Sequence, residues 1–254
     1  MGETTLDSED ASSAELRVGR VLSRAAGIYR RHFATFFLLT AIATSPTLLF
    51  FLGSYYAGRA RGSALAASVA GNRWGAALDF LLGMASEAVV VYGAFQDMRG
   101  RPVRLGESLR KGMARFLPVI GASIGIVVAV GLGTLLLVVP GIMVYCSLAV
   151  AIPACVVEQS GPFECLGRSA YLTKGYRWKI FGVYVLAFVA VAIAGAIAVA
   201  VVSQLGGIVA DRVAQFVSNA FIEAFGSVIA VVLYHDLRVV KEGIDTERIA
   251  AVFD

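Results

Sequence analysis

The chain has 254 residues, of which 58% are hydrophobic and 16% are charged, and its net charge is +4. Soluble domains carry about 25% charged residues, so this composition excludes an ordinary water-soluble globule and indicates an integral membrane protein. Because the basic residues lie at the ends of apolar runs and are not interleaved with aromatics along one groove, we expect no binding of nucleic acid.

The first segment, residues 1–15, is acidic and rich in Ser and Thr, and we expect it to be a disordered acidic cytosolic tail. It lacks the basic region followed by an apolar stretch that defines a cleaved signal peptide. Residues 16–240 are predicted to form a six-helix membrane domain, and residues 241–254 a cytosolic C-terminal tail.

A membrane-spanning helix needs roughly 20 mostly apolar residues, and the chain offers six such runs. The predicted spans are Phe33–Phe51, Trp74–Phe95, Leu117–Val139, Ile142–Val157, Trp178–Val202 and Ala214–Tyr234. The third and fourth runs form one apolar stretch that is too long for a single crossing. The breaker Pro140-Gly141 lies in its middle and predicts a tight turn between two antiparallel spans.

Prolines and glycines inside the spans predict kinks and close contacts. Pro46 and Pro153 each remove one backbone donor, so we expect the first and fourth spans to be interrupted, with freed carbonyls at Ile42 and Ala149. In the third span, "GASIG" (residues 121–125) places two glycines four positions apart. That pattern allows close helix approach in membranes.

The Lys and Arg residues predict the orientation, since short cytosolic loops of membrane proteins carry most of them. With these six spans, 18 of the 22 basic residues fall on one side. The four on the other side are Arg59, Arg61, Arg73 and Arg212. We therefore predict a multi-pass protein of the bacterial cytoplasmic (inner) membrane, with its N- and C-termini in the cytosol.

Three basic segments with similar sequences precede the odd-numbered spans: "VGRVLSRA" (Val18–Ala25), "LGESLRKG" (Leu105–Gly112) and "PFECLGRS" (Pro162–Ser169). Each has a leucine, a basic residue two positions later, and then a small residue. The aligned residues are Leu22, Leu109 and Leu166, then Arg24, Lys111 and Arg168, then Ala25, Gly112 and Ser169. The sequence thus contains a threefold internal repeat.

Apolar residues recur at helical spacing in these segments, which predicts amphipathic helices lying in the inner interface with their apolar stripes toward the acyl chains. The predicted stripes are Val18, Val21, Leu22 and Ala25 in the first segment and Phe163, Leu166 and Ala170 in the third. The predicted fold is therefore an all-α polytopic membrane protein. Its six transmembrane helices form three hairpins, each preceded by a cytosolic interfacial amphipathic helix.

The basic helices are open to three interpretations: positive-inside topology alone, specific recognition of anionic lipid headgroups, or docking of a cytosolic partner. A juxtamembrane basic residue contributes roughly 1 kcal/mol near an anionic leaflet, so general attraction to membrane lipids needs no pocket. The candidate lipid-headgroup contacts are Arg24, Lys111, Arg168, Lys174, Arg177 and Trp178.

The even-numbered spans end in an acidic residue, namely Asp97, Glu158 or Asp236. A negative charge is unfavourable at a helix C-terminus, where the helix dipole is itself negative. We therefore predict that these three acids pair with the basic helices and hold the hairpins together.

Three carboxylates fall inside the predicted spans: Asp79 and Glu87 in the second and Glu223 in the sixth. An acid at the bilayer centre costs at least about 2.5 kcal/mol and usually faces a bundle interior or a cavity. These residues are the candidate intramembrane polar site, which would serve a proton- or cation-linked path or a lipid headgroup. The alternative is a protonated acid that hydrogen-bonds across a helix interface, and the lack of intramembrane Lys or Arg favours protonation of at least one carboxyl.

The remaining reactive residues indicate no catalysis. The cysteines Cys146, Cys155 and Cys165 have neither a C-x-x-C spacing nor an even count, so we expect small buried thiols and neither a disulfide framework nor a metal site. His32 and His235 lie at span ends outside any catalytic motif. We expect no catalytic residue, no metal and no cofactor.

Two blocks carry a resemblance to a known family: "LLLVVPGIMVYCSLAVAIPACVVEQSGPFECLGRSAYLTKGYRWKIFG" (Leu135–Gly182) and "LYHDLRVVKEGID" (Leu233–Asp245). They resemble bacterial six-span proteins related to the membrane domain of glycerophosphoryl diester phosphodiesterases. The matching features are Pro140-Gly141-Ile142, Pro153 to Glu158, Arg168-Ser169, Leu172-Thr173-Lys174-Gly175 and Trp178. The resemblance implies a membrane module without the phosphodiesterase chemistry, which lies in a separate soluble domain of that family.

The sequence favours a non-enzymatic membrane module that organises or presents lipids or anchors a partner, such as a soluble enzyme or a transporter subunit. The alternative is a small transporter or lipid flippase that uses Glu87 and Glu223. A lipid-metabolising enzyme ranks third. A polar mid-membrane cavity containing both carboxylates would favour transport, whereas acids packed against helices would favour the structural module. The sequence sets no oligomeric state.

Overall fold

The computed structural model describes residues 16–60, 64–203 except 102 and 104, and 208–243. Within these ranges the chain is helical and contains no strand, which confirms the all-α prediction. The described helices are α1 (Val18–Arg31), α2 (Phe33–Ala60), α3 (Ala64–Met98), α4 (Leu105–Met113), α5 (Phe116–Leu136), α6 (Val138–Leu148), α7 (Ala151–Val157), α8 (Pro162–Thr173), α9 (Arg177–Ser203) and α10 (Ile208–Glu242). The predicted tail 1–15 and most of 241–254 lie outside the described residues, but α10 continues to Glu242, past the predicted boundary at 240.

Five helical stretches among the described residues are long and apolar enough to cross a membrane: Phe33–Ala57, Phe116–Leu136, Val138–Val157, Arg177–Ile197 and Arg212–Glu242. Much of their apolar surface is exposed. Only 22% of the most apolar window of α5 and 18% of that of α9 is buried inside the protein. Such surface is unfavourable in water but suits hydrocarbon. The remaining predicted span, Trp74–Phe95, lies in α3, where several side chains are outside the described set, and it stays a prediction.

The helices α3 and α10 form the centre of the assembly. The valines of α3 from Val89 to Val91 are at most 3% exposed, and residues Val228–Leu233 of α10 at most 4%. Helix α10 also contacts α1, α2, α7, α8 and α9. The two helices that carry intramembrane carboxylates thus each contain a fully packed segment.

The turn between the third and fourth predicted spans lies at Leu137, so the predicted turn at Pro140-Gly141 is wrong. Leu137 has an extended backbone (φ −166°, ψ 149°) between α5 and α6. Pro140 lies in the first turn of α6, where a missing N–H breaks no helical hydrogen bond. A methyl group on Gly141 would lie 2.9 Å from Thr134 Cα. The dipeptide therefore lets α5 and α6 approach closely.

The two intramembrane prolines have different effects. Pro153 coincides with a break at Ala149 and Val150 between α6 and α7, as predicted. Pro46 does not interrupt α2, contrary to expectation, because Ser45 Oγ donates a hydrogen bond to the Ile42 carbonyl at 2.8 Å. The side chain replaces the backbone bond that the proline removes.

The three basic segments are the short helices α1, α4 and α8, and their packing follows the repeat. Helix α4 packs on α3, helix α8 on α5, α6 and α7, and helix α1 on α9 and α10. Each short helix thus contacts helices of the preceding repeat, and the first contacts the last. The aligned small residues Ala25, Gly112 and Ser169 are all buried.

The predicted acyl-chain contact of the first apolar stripe is wrong, because protein covers that face. Val21 and Ala25 of α1 are 0% exposed, on a helix that packs against α9 and α10. The stripe therefore attaches the first repeat to the third.

The predicted stripe of α8 also differs from its buried face. Phe163 is 85% exposed, whereas Cys165, Ser169, Leu172 and Thr173 are buried. Ser169 Oγ donates to the Ser147 carbonyl at 2.9 Å and accepts from the Val150 N–H at 3.3 Å. This face is polar because it satisfies backbone groups freed at the α6–α7 break.

The two glycines of "GASIG" mark a close helix contact, as predicted. A methyl group on Gly121 would lie 3.0 Å from Pro162 Cβ, and one on Gly125 would lie 2.7 Å from Leu166 Cδ1. Both neighbours belong to α8. The contact therefore seats a short basic helix on α5.

Cys155 and Cys165 form a disulfide with sulfurs 2.00 Å apart, so the expectation that all three cysteines are thiols is wrong. The bond joins α7 to α8 across the turn between them. Cys146 is a buried free thiol. Spacing alone gave no signal, because the pair is ten positions apart and meets only when α8 folds back on α7.

We predict that this disulfide contributes measurably to stability. Closing a loop of ten residues stabilises a fold by about 2 to 3 kcal/mol. Purified protein should therefore melt at a lower temperature with dithiothreitol than without it, and Cys155→Ala should abolish the difference. Cys146→Ala is the matched control and should retain it. A melting temperature that does not respond to reductant in the wild type would contradict the prediction.

Candidate functional site

The carboxylates Glu87 of α3 and Glu223 of α10 line one cavity of about 580 Å³ in the middle of the helix assembly. This volume is within the range of roughly 300 to 1,000 Å³ found for ligand pockets. Buried neighbours hold both acids in place, since Ala88 and Ala224 are 0% exposed. Two acids that are 136 positions apart in the chain thus line the same cavity.

Glycine and serine shape the cavity beside Glu223. A methyl group on Gly83 of α3 would lie 3.3 Å from Glu223 Oε1, so a larger residue there would crowd the carboxylate. Ser227 Oγ donates to the backbone carbonyl of Glu223 at 2.9 Å. The Ser227 oxygen keeps its acceptor capacity toward the cavity.

Further polar and aromatic side chains complete the lining, and they were missed by sequence reasoning. Ser123 of α5 is 5% exposed, and its hydroxyl has no hydrogen-bond partner among the described residues. Tyr145 of α6 and Tyr184 of α9 also line the cavity and contact each other edge to face, with ring centroids 5.5 Å apart. These residues come from three separate helices, and no spacing in the sequence brings them together.

The third intramembrane candidate, Asp79, lies on α3 at a position whose side chain is outside the described residues. Its predicted part in the polar site stays a prediction.

A second polar arrangement lies where α7, α8 and the end of α10 meet, which we call the charged ring. Its members are Glu158, Arg168, Glu242, Arg238 and Tyr234. Arg168 binds the carboxylates of both Glu158 and Glu242, and Arg238 Nε lies 3.1 Å from Glu242 Oε2. Tyr234 donates to Glu158 at 2.8 Å and accepts from Arg238 at 3.3 Å, which closes the ring. Burial lowers the pKa of Arg168, but its bonds to the two carboxylates dominate and raise the pKa above its usual value.

The predicted pairing of span-end acids with basic helices is confirmed for Glu158, Asp236 and Asp97. Arg168 of α8 binds Glu158, and Arg24 of α1 lies 3.2 Å from Asp236. Asp97 is also paired, but with Arg31 and His32 at the end of α1. These ion pairs bring α1, α8 and the ends of α3, α7 and α10 to one end of the assembly, the basic end.

The candidate lipid-headgroup residues divide into two groups. Arg24 and Arg168 are engaged by carboxylates, and Arg177 donates to Ser147 Oγ at 3.2 Å. The other three, Lys111, Lys174 and Trp178, are exposed. The first group thus stabilises helix contacts, whatever its relation to lipid.

Both histidines lie beside acids. His32 Nε2 is 2.7 Å from Asp97 Oδ1, and His235 Nδ1 is 3.3 Å from Asp236 Oδ1. Among the residues that the structure describes, no group of three or more His, Cys, Asp or Glu side chains is arranged to hold a metal ion.

The long, exposed apolar helices identify an all-helical, multi-pass membrane protein. No family model, no curated protein and no solved structure matches the chain. The resemblance to the membrane domain of glycerophosphoryl diester phosphodiesterases stays a prediction.

Proposed function

We propose that this protein is a small membrane transporter whose substrate enters the cavity between Glu87 and Glu223. The observation that carries the proposal is that both carboxylates line the same cavity of about 580 Å³ between apolar helices. Acids inside a membrane are unfavourable unless they serve a polar path or site. A module that only anchors a partner needs no such acidic cavity.

The proposal includes a topology of six spans in three hairpins, with both termini in the cytosol of a bacterial cell. Its support is the one-sided distribution of Lys and Arg, together with the ion pairs that gather the basic segments at one end. In this arrangement the charged ring lies at the cytosolic surface, and the cavity lies within the membrane.

Transport requires that the cavity be reachable by water from both sides of the membrane, in alternation. The test is labelling of Ser123→Cys with a charged, membrane-impermeant thiol reagent in oriented vesicles. The background is Cys146→Ala, which removes the native free thiol. We expect labelling from each side, because Ser123 lines the cavity.

The matched control is Val128→Cys on the same helix. Val128 is 54% exposed and lies outside the cavity, so a lipid-soluble maleimide should label it and the charged reagent should not. Labelling of Ser123→Cys from one side only, or from neither, would refute transport through this cavity.

A further inference from the structure

The acidic side chains of the cavity favour a ligand with a positive charge. Glu87 and Glu223 line it, and no Lys, Arg or His does so within the described part of the chain. Ser123 adds an enclosed hydroxyl without a hydrogen-bond partner among the described residues. A buried polar group of this kind is normally satisfied, so this hydroxyl is available to a molecule that enters the cavity. The set favours a cation, toward which the Ser123 oxygen can direct its lone pairs.

A second cavity of about 390 Å³ lies next to the first, between α5, α6 and α9. Its lining is apolar, with residues such as Val130, Ile142, Val185 and Phe188. Phe188 is 74% exposed, so this apolar groove opens toward the surface that faces acyl chains. Its shape and chemistry suit a hydrocarbon chain that enters from the bilayer.

Two tyrosines join the acidic cavity to the apolar groove. Tyr145 and Tyr184 line both spaces, and their rings meet edge to face at 5.5 Å. Aromatic faces attract ammonium groups, most strongly where water is excluded. The boundary between the two spaces therefore suits the junction between a charged head and its chain.

We infer that the ligand is an alkyl ammonium, with its cationic head near Glu87 and Glu223 and its chain in the apolar groove. The inference rests on the proposed function and names its substrate class. An amine-bearing phospholipid shares this chemistry but adds a phosphate, which the two carboxylates disfavour. The structure thus favours a cationic amphiphile without a phosphate.

The test is equilibrium binding of tritiated dodecyltrimethylammonium to the full chain in a nonionic detergent. We expect saturable binding that weakens at least about 10-fold in Glu87→Gln and in Glu223→Gln, since removing one charge from a desolvated pair of opposite charges is costly. Glu87→Asp should recover part of the affinity, which distinguishes a lost charge from a misfolded variant. Glu164→Gln removes a carboxylate from the exposed first turn of α8 and should bind as the wild type does.

Competition experiments test separately the recognition of the charged head and that of the chain, and they distinguish a simple cationic amphiphile from a phospholipid. Dodecyl sulfate should not compete, and dodecylphosphocholine should compete at least about 10-fold more weakly than unlabelled ligand, because its phosphate mimics a lipid headgroup. Val185→Trp should fill the apolar groove, so it should weaken the binding of dodecyltrimethylammonium but not that of tetramethylammonium, which has no chain. Equal competition by dodecylphosphocholine would assign the site to phospholipid. Binding that is unchanged in Glu87→Gln and in Glu223→Gln would overturn the inference.

The binding test and the labelling test fail independently. Two-sided labelling of Ser123→Cys without alkyl ammonium binding would leave transport standing and remove this substrate class. Glutamate-dependent binding with one-sided labelling would keep the ligand and remove transport.

Discussion

Replacing Arg168 with Ala is expected to destabilise the protein by about 2 to 4 kcal/mol, because two carboxylates lose their shared cation. Arg168 binds both Glu158 and Glu242, and its side chain is 26% exposed. An exposed ion pair is worth at most about 1 kcal/mol, but here the charges are largely enclosed. The loss should appear as a fall in melting temperature of about 5 to 10 °C in detergent.

Three variants make the result specific to the charged ring. Lys174→Ala, at the exposed end of the same helix, should have almost no effect. Arg24→Ala should have a smaller effect than Arg168→Ala, since Arg24 is more exposed and binds one carboxylate, Asp236. Adding Glu158→Gln to Arg168→Ala should restore part of the stability, because Glu158 has no second cation in the ring, whereas Glu242 keeps Arg238.

If Arg168→Ala melted within 1 or 2 °C of the wild type, which corresponds to about 0.5 kcal/mol, the ring would be an ordinary surface network. The melting temperature of the double variant provides a second test of the ring. Were Glu158→Gln to add its own loss to that of Arg168→Ala, the two residues would not be energetically coupled.

The span-end pairing was predictable because it follows from a repeat. Each even-numbered span ends in an acid and each odd-numbered span is preceded by a basic helix, so the sequence predicts pairing by position alone. The partner of Asp97 was not predictable in this way. Asp97 binds Arg31 of α1 and the adjacent His32, whereas Lys111, the aligned residue of α4, is exposed.

The turn at Leu137 and the disulfide depend on contacts between helices, which rules based on local sequence do not predict. A Pro-Gly dipeptide predicts a turn, but the same proline is equally suited to the first turn of a helix, and only the packing of Gly141 against α5 decides between them. Cys155 and Cys165 likewise meet because α8 returns along α7. Neither contact can be predicted from the spacing of the residues in the sequence.

The cavity could be predicted in part. Its acids stood out, since a carboxylate in an apolar run is rare, and the prediction that they face an enclosed space is consistent with the cavity. Ser123, Tyr145 and Tyr184 did not stand out, because serine and tyrosine are ordinary in membrane helices. Their role depends on how α5, α6 and α9 surround α3 and α10.

Replacing Gly112 with Ala should destabilise the protein even though alanine is the better helix former. A methyl group at Gly112 would lie 2.6 Å from Val89 Cα and 2.9 Å from its backbone nitrogen. A side-chain neighbour could rotate away, but a backbone neighbour requires α4 to move away from α3. Overpacking of this kind costs about 1 to 3 kcal/mol.

Gly106 provides the matched control, because it lies on the same helix and a methyl group there would meet nothing within 4 Å. Gly106→Ala should be neutral or stabilising by up to about 1 kcal/mol, from helix propensity alone. Because the two substitutions are chemically identical, their difference reports the packing: Gly112→Ala should lower the melting temperature, and Gly106→Ala should leave it unchanged or raise it. Gly112→Ala melting at or above the wild-type temperature would mean that α4 does not pack on α3 as described. The small residue would then not be the contact point that the three repeats share.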